Sequence, residues 1–144
     1  MKPNIINSIT YENHFQPTLL IHALEYDKNN SIVEYLANHK SCDITVPDQV
    51  GNTPFYLAIR NGNLDAVKWL LQNDQSVLNH VTDYRAPLRI AAGLGHVEIV
   101  KFLLQQDGID INVYRGKTVD QVKGIKEEIV KLFQDHGKNL GSTS

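Results

Sequence analysis

One cysteine in 144 residues excludes an internal disulfide and any zinc cluster built from several cysteines. Cys42 then reads as a small, mostly apolar residue in a protein of a reducing compartment. No apolar run approaches the roughly 20 residues that cross a bilayer, and Met1-Lys2-Pro3-Asn4-Ile5-Ile6-Asn7 is too polar for a secretory core. The expected setting is the cytoplasm, with no membrane partner. An excess of one charge is also missing, since the formal net charge is −2, with 3 basic against 6 acidic side chains in residues 1–50 and 11 against 10 in the remainder. Without a basic block, nucleic acid is not an expected partner. A composition of 42% hydrophobic and 21% charged residues is that of an ordinary folded domain able to bury a core.

The signatures of catalysis are equally sparse. His96-Val97-Glu98 mimics one half of a zinc deaminase motif, but its Pro-Cys-x-x-Cys partner cannot exist with one cysteine, and there is no H-E-x-x-H. His96 is expected in a turn. Gly93-Leu94-Gly95 ends a short helix instead of following a strand, and no Gly-Lys-Ser/Thr comes after it, so it is no phosphate loop. His14, His22, His39, His80 and His136 share no ligand spacing, and no Ser, His and Asp set is nominated. Glu127-Glu128 fits the first turn of a final helix, where negative charge favours the dipole. The chain is expected not to be an enzyme and to hold neither metal nor cofactor.

What the sequence has is repetition. Gly51-Asn52-Thr53-Pro54-Phe55-Tyr56-Leu57-Ala58 runs through Asn61-Gly62-Asn63 into Leu64-Asp65-Ala66-Val67-Lys68-Trp69-Leu70-Leu71. Ala86-Pro87-Leu88-Arg89-Ile90-Ala91-Ala92 runs through Gly95-His96 into Val97-Glu98-Ile99-Val100-Lys101-Phe102-Leu103-Leu104. Pro54 and Pro87 stand 33 residues apart, as do Gly62 and Gly95, a period that means stacked repeats. Within each unit, Thr53 predicts an N-cap and Pro54 the first helical residue, and Asn61-Gly62 predicts the stop. Leu64, Val67, Leu70 and Leu71 form the apolar stripe of an antiparallel second helix. Helices this short are unstable alone and must lean on neighbours.

These landmarks, Gly-x-Thr-Pro, an alanine, then Asn-Gly-Asn-Leu or Gly-His-Val-Glu, then Val-Lys-x-Leu-Leu, resemble the ankyrin repeat in detail across residues 48–112. The resemblance implies an all-α solenoid of stacked helix-turn-helix pairs joined by β-hairpin-like finger loops, and a role in binding other proteins. On this pattern, residues 1–16 are an N-terminal extension, of which residues 1–13 either cover the open end of the core or are loosely ordered. A capping repeat occupies 17–47, full repeats occupy 48–80 and 81–112, a truncated C-terminal cap occupies 113–137, and 138–144 is a tail. Ile125, Ile129, Leu132 and Phe133 form the last stripe, and Asp43-Ile44-Thr45 parallels Asp110-Ile111-Asn112. The spacing ahead of Asn112 also resembles the site that asparaginyl hydroxylases modify in the family, although the same asparagine suits a turn whose side chain bonds its own backbone.

Departures from the pattern are informative. Ala86 stands where the motif has threonine, so its helix lacks a cap hydroxyl that contributes ~1 kcal/mol. Tyr84 stands where Gly51 and Gly116 supply backbone freedom. Tyr56 and Arg89 replace the family's histidine, which leaves the usual threonine to histidine bonding between repeats without its partner. Trp69, equivalent to Phe102, reads as core.

The resemblance also locates a binding surface on the fingers and the exposed face of each first helix. It singles out Tyr26, Val50, Asn52, Arg60, Asn61, Tyr84, Arg85, Leu94, Tyr114, Arg115 and Lys117. Tyr84-Arg85 and Tyr114-Arg115 repeat an aromatic-basic pair on adjacent fingers, and both residue types are enriched in interface hot spots, which suggests a ridge for an acidic or aromatic partner segment. The competing reading packs Tyr114 against the next finger and leaves the arginines solvated. The expected function is a monomeric, non-enzymatic adaptor for one protein partner. The alternative is a recruitment segment of a larger enzyme or of a secreted bacterial effector acting in a host cytosol, to which the Asn-, Gln-, Ile- and Lys-leaning composition is similar.

Overall fold

The computed structural model describes residues 19–79, 86–112, 117 and 119–141, with the backbone alone at residues 120 and 139–141. The described residues form helices and turns, without a strand. In chain order the helices are α1 (Leu19–Tyr26), α2 (Ser31–Ala37), α3 (Pro54–Arg60), α4 (Leu64–Asn73), α5 (Pro87–Leu94), α6 (Val97–Leu104) and α7 (Glu127–Gly141), with short 3-10 turns at Gln75–Asn79 and Val119–Gln121. The chain divides into two compact units, residues 1–77 and 78–144.

In the first unit α1 packs on α2 and α3, α2 on α4, and α3 on α4, giving two helix pairs side by side. The core is aliphatic. Leu20, Ile21, Val33, Leu36, Leu57, Ile59, Val67 and Leu70 are all buried, and shedding water from these side chains is what makes helices of seven to ten residues persist. Trp69 is only half-buried at the rim of that core.

The local signals act as the sequence predicts. Thr53 sits in extended backbone and its hydroxyl accepts the Tyr56 N–H at 3.1 Å, with Pro54 opening α3. At the other end Gly62 takes φ +71°, which lets Asn63 N–H reach Ala58 O at 2.9 Å and Gly62 N–H reach Ile59 O at 3.0 Å, the Schellman arrangement that satisfies the last carbonyls. The same pair of bonds recurs 33 residues later, where His96 N–H reaches Ala91 O at 2.9 Å and Gly95 N–H reaches Ala92 O at 3.1 Å.

In the second unit α5 packs on α6 and α6 on α7, around Leu88, Ala91, Ile99, Val100, Leu103 and Ile129. Ala86 gives α5 no side-chain cap. The last repeat is abbreviated in a specific way: its first helix shrinks to the 3-10 turn Val119–Gln121, while α7 extends to 15 residues and runs to Gly141, past residue 137. Of the stripe read from the sequence, Ile129 is fully buried while Ile125, Leu132 and Phe133 are half-buried. Lys126 donates to Gly95 O at 3.1 Å, so a lysine ammonium finishes the C-terminus of α5.

Candidate functional site

The finger at residues 48–52 is built around one carboxylate. Asp48 Oδ1 accepts from the N–H groups of Val50 at 2.9 Å and Asn52 at 2.8 Å, and Oδ2 accepts from Asn52 Nδ2 at 2.8 Å. Across the loop, Asp48 N–H reaches Asn52 O at 2.9 Å and Gly51 N–H reaches Asp48 O at 3.0 Å, with Gly51 at φ +85°. Asp at the first and Gly at the fourth position of a turn is the pattern this geometry favours. The consequence is a tied loop that holds Val50 out at 72% exposure. Asn52 is half-buried and its amide is committed to the loop itself.

Beside this finger runs α1. Ile21, Glu25, Asp48, Gln49 and Val50 enclose a hollow of about 150 Å³. At the far end of the helix, Glu25 and Tyr26 join the α1–α2 turn and the α3–α4 turn around an open groove of about 740 Å³. Tyr26 is 71% exposed and its ring leans on His22, with centroids 5.6 Å apart. Arg60 is exposed and its guanidinium lies 3.8 Å from Glu25. Asn61 donates to Leu24 O at 2.9 Å, closing a carbonyl of the last turn of α1.

The turn between α1 and α2 differs from the other two. It lacks a glycine in the left-handed region and instead places Asn30 there, at φ +61°. Asn30 contributes no side-chain cap to α2. Asp27 does so in its place, its Oδ2 accepting from Ile32 N–H at 2.8 Å and Val33 N–H at 3.4 Å and its Oδ1 from Asn29 N–H at 3.1 Å. Desolvation pushes the Asp27 carboxyl upward, but the N–H groups of Ile32, Asn29, Val33 and Asn30 outweigh it and hold the acid below the ordinary carboxylate range.

The remaining candidates fall elsewhere. Leu94, at the end of α5, is 52% exposed, and Lys117 is exposed. Tyr84, Arg85, Tyr114 and Arg115 lie outside the described residues, and with them the aromatic-basic ridge. Within the first unit the structure therefore brings Tyr26, Arg60 and Asn61 to the C-terminal end of α1, with Val50 beside Ile21 and Glu25 and Asn52 bound within its own finger. Sequence reasoning passed over Asp48 and Asp27, the two carboxylates that shape this surface. Asp48-Gln49-Val50-Gly51 was the available signal for the first, and an acid five residues ahead of Ile32 for the second. Asn112 is exposed, and the acceptor of its turn is Asp110, whose Oδ1 receives the Asn112 N–H at 2.8 Å. Asp43 does the same for Thr45 at 2.9 Å, so the two parallel tripeptides make one kind of turn.

Among the described residues no group of three His, Cys, Asp or Glu side chains could hold a metal ion, and no helix is long and apolar enough to cross a membrane. Burial pushes the Cys42 thiol up to about 11, with the charge of Asp43 adding to it, so this sulfur is a poor nucleophile at neutral pH.

Comparison with known proteins returns the family described as ankyrin repeats (3 copies), matched over residues 2–80 and 20–115. Alpha-latroinsectotoxin-Lt1a of Latrodectus tredecimguttatus is 26% identical over 138 residues, covering 91% of this chain and 9% of that protein. Alpha-latrotoxin-Lhe1a of Latrodectus hesperus is 30% identical over 99 residues, 67% of this chain and 7% of the toxin. Myotrophin of Xenopus tropicalis is 38% identical over 57 residues, 40% of this chain and 48% of its own length. The chain thus spans a small part of the toxins it resembles and about half of myotrophin.

Proposed function

This chain belongs to the ankyrin repeat family, and on that premise we propose that it is a non-enzymatic module that binds one protein partner through its finger loops and the exposed faces of its first helices. Ankyrin repeats are generally protein-protein interaction modules. The observation that carries the reading to particular residues is the 48–52 finger, where a carboxylate with three donors fixes the backbone and leaves Val50 72% exposed. A preformed loop loses little conformational freedom when a partner closes over it, so the apolar tip adds to affinity at low ordering cost. Tyr26, Arg60 and Asn61 extend the surface along α1, and Asn52 supports it from beneath. Leu94, Lys117 and the Tyr84-Arg85 and Tyr114-Arg115 pairs complete the proposed set. The protein acts as a monomer in the cytoplasm, a setting that the lone, unreactive Cys42 supports.

Affinity capture with the immobilised chain tests this, comparing wild type with Val50→Ser and with Tyr84→Ala/Arg85→Ala/Tyr114→Ala/Arg115→Ala. Loss of a protein from the variant eluates, with helical circular dichroism unchanged, supports the surface. Equal capture by all three chains removes it. The second reading, a recruitment segment within a larger enzyme or a secreted effector, draws its support from the long proteins in which similar segments occur, since the match covers 9% and 7% of the two toxins.

A further inference from the structure

The two hollows on α1 share Glu25 as a common wall. They therefore form one strip, bounded by an exposed aliphatic residue, Val50, on the finger and by an exposed aromatic residue, Tyr26, at the α1–α2 turn. We propose that this strip docks an extended peptide segment of a partner protein that carries a lysine or arginine for Glu25 and Asp65 and an apolar side chain for the Ile21–Val50 hollow. The proposal rests on the protein-binding reading above and names the chemistry of the partner segment at part of that surface.

The sign of the preferred ligand follows from what already occupies the helix ends. The N-termini of α2 and α4 both open onto the larger hollow, and free N–H groups there would favour an anion. Both are already answered. The Asp27 carboxylate takes the amides of Ile32 and Val33, and the Asn63 side chain accepts the Ala66 N–H at 3.1 Å. Asp65 adds a further negative charge in the first turn of α4. The larger hollow is thus lined by Glu25, Asp27 and Asp65 against Lys28, with the Arg60 guanidinium 3.8 Å from Glu25, and the charged residues lining the smaller are Glu25 and Asp48, so carboxylates outnumber cations along the strip. An anionic ligand would meet more carboxylates than cations there. A cationic side chain would find Glu25 at the centre of the strip, with the Tyr26 ring beside it for its aliphatic stem or its charge.

The shape selects an extended peptide over a small molecule. The larger hollow is open to solvent and polar, unlike the concave apolar pockets that enclose small ligands, while the smaller one has Ile21 at its base and Val50 on its rim. Two shallow sites that share Glu25, the smaller offering Ile21 and Val50 beside its carboxylates, suit alternate side chains of one extended chain.

The test is a titration of the ¹⁵N-labelled protein with an acetylated, amidated nonapeptide carrying one arginine at its centre and one leucine three residues away, the rest serine and glycine. A control peptide has glutamate in place of the arginine. The proposal expects amide shifts concentrated at Glu25, Tyr26, Val50 and Asp65 with the arginine peptide, none with the glutamate peptide, and binding that weakens as salt rises. Glu25→Gln/Asp65→Asn should weaken the arginine peptide roughly five-fold, the size expected for two exposed charge pairs. Shifts that are absent, equal for the two peptides, or placed away from α1 would overturn the strip. A wild-type response from the Glu25→Gln/Asp65→Asn chain would do the same. Because this readout does not involve the natural partner, it can fail while the capture experiment succeeds, and the reverse.

Discussion

Asn30 and Asn63 exchange side-chain hydrogen bonds in both directions, Asn30 Nδ2 to Asn63 Oδ1 at 3.1 Å and Asn63 Nδ2 to Asn30 Oδ1 at 2.7 Å. They stand 33 residues apart, at the same place in consecutive helix pairs, so the repeat period brings like against like. Asn63 Oδ1 also accepts the Ala66 N–H, so one amide caps α4 and ties it to the neighbouring turn. With Asn61 on Leu24 O and Asn73 on Asn38 Oδ1 at 3.0 Å, asparagines supply four side-chain hydrogen bonds between these two repeats, beside the Arg60–Glu25 pair. Asn63→Ala should lower stability by about 1–2 kcal/mol, since it removes a cap and leaves a half-buried amide without its partner. Asn63→Ser keeps a capping oxygen and should lose less. A double-mutant cycle with Asn30→Ala, followed by urea unfolding, should show a non-zero coupling for the pair, and additive losses would refute it.

Ala86→Thr should raise stability by about 1 kcal/mol. Ala86 occupies the N-cap of α5 without a side-chain bond, whereas the Thr53 hydroxyl at the equivalent place receives the Tyr56 N–H, and a threonine supplies that acceptor. Denaturant midpoints of the two chains, at unchanged slope, are the measurement.

Gly95→Ala should lower stability by about 1 kcal/mol or more. Gly95 holds φ +76°, a conformation that costs an L-residue roughly 1–2 kcal/mol. An added Cβ would also lie 2.7 Å from Lys126 Cε and would push aside the ammonium that closes Gly95 O. Thermal melts should show the loss, and an unchanged midpoint would count against this account of the α5 terminus.

Asp27→Ala should weaken the first helix pair most at neutral pH. The folded-state acid titrates below its ordinary value, so its stabilising effect is complete above the unfolded carboxylate range near ~4 and disappears as pH falls through the depressed folded value. Melts at pH 7 and pH 3 should show a gap between wild type and variant at the higher pH that narrows at the lower. A gap independent of pH would contradict the charge-based cap.

Cys42 should resist alkylation in the native chain at pH 8 and react rapidly once urea unfolds it, because its folded thiol titrates at about 11. The sign is opposite to that of Asp27. The folded state holds its proton where the unfolded thiol, near ~8.5, has lost it, so this group begins to lower stability as pH rises above the unfolded value, and the loss grows toward pH 11. Iodoacetamide labelling followed by mass spectrometry across pH 7–11 reads both effects.

The parts of the fold legible in the sequence are those decided within a few residues. Thr53-Pro54, Asn61-Gly62 and the Leu64, Val67, Leu70 and Leu71 stripe act through local hydrogen bonds, backbone freedom and helical spacing, so their roles could be assigned before any neighbour was known. The missing cap at Ala86 belongs to the same class. The first inter-helix turn was harder to read, because it spreads its work over Asp27 and Asn30 in place of one glycine. The last repeat could be read from the sequence as a truncated cap over 113–137, but its length does not say which of two helices shrinks. The 15-residue α7, with Ile129 buried, packs on α6, while buried Val119 opens only the 3-10 turn Val119–Gln121, so it is the first that shrinks.

The candidate site divides along the same line. Tyr26, Val50, Arg60 and Asn61 could be placed on exposed positions by matching a repeat, since the period alone assigns each residue to a helix face or a finger. That Asn61 is bound to Leu24 O, that Asn52 is bound into its own loop, and that Glu25 stands between two hollows could not be. Those facts depend on distances between residues far apart in the chain, set when aliphatic side chains of two short helix pairs exclude water together. By itself the sequence determined the repeat, its caps and its interruptions. The tertiary structure decided which polar side chains the packing consumes and which it leaves facing solvent.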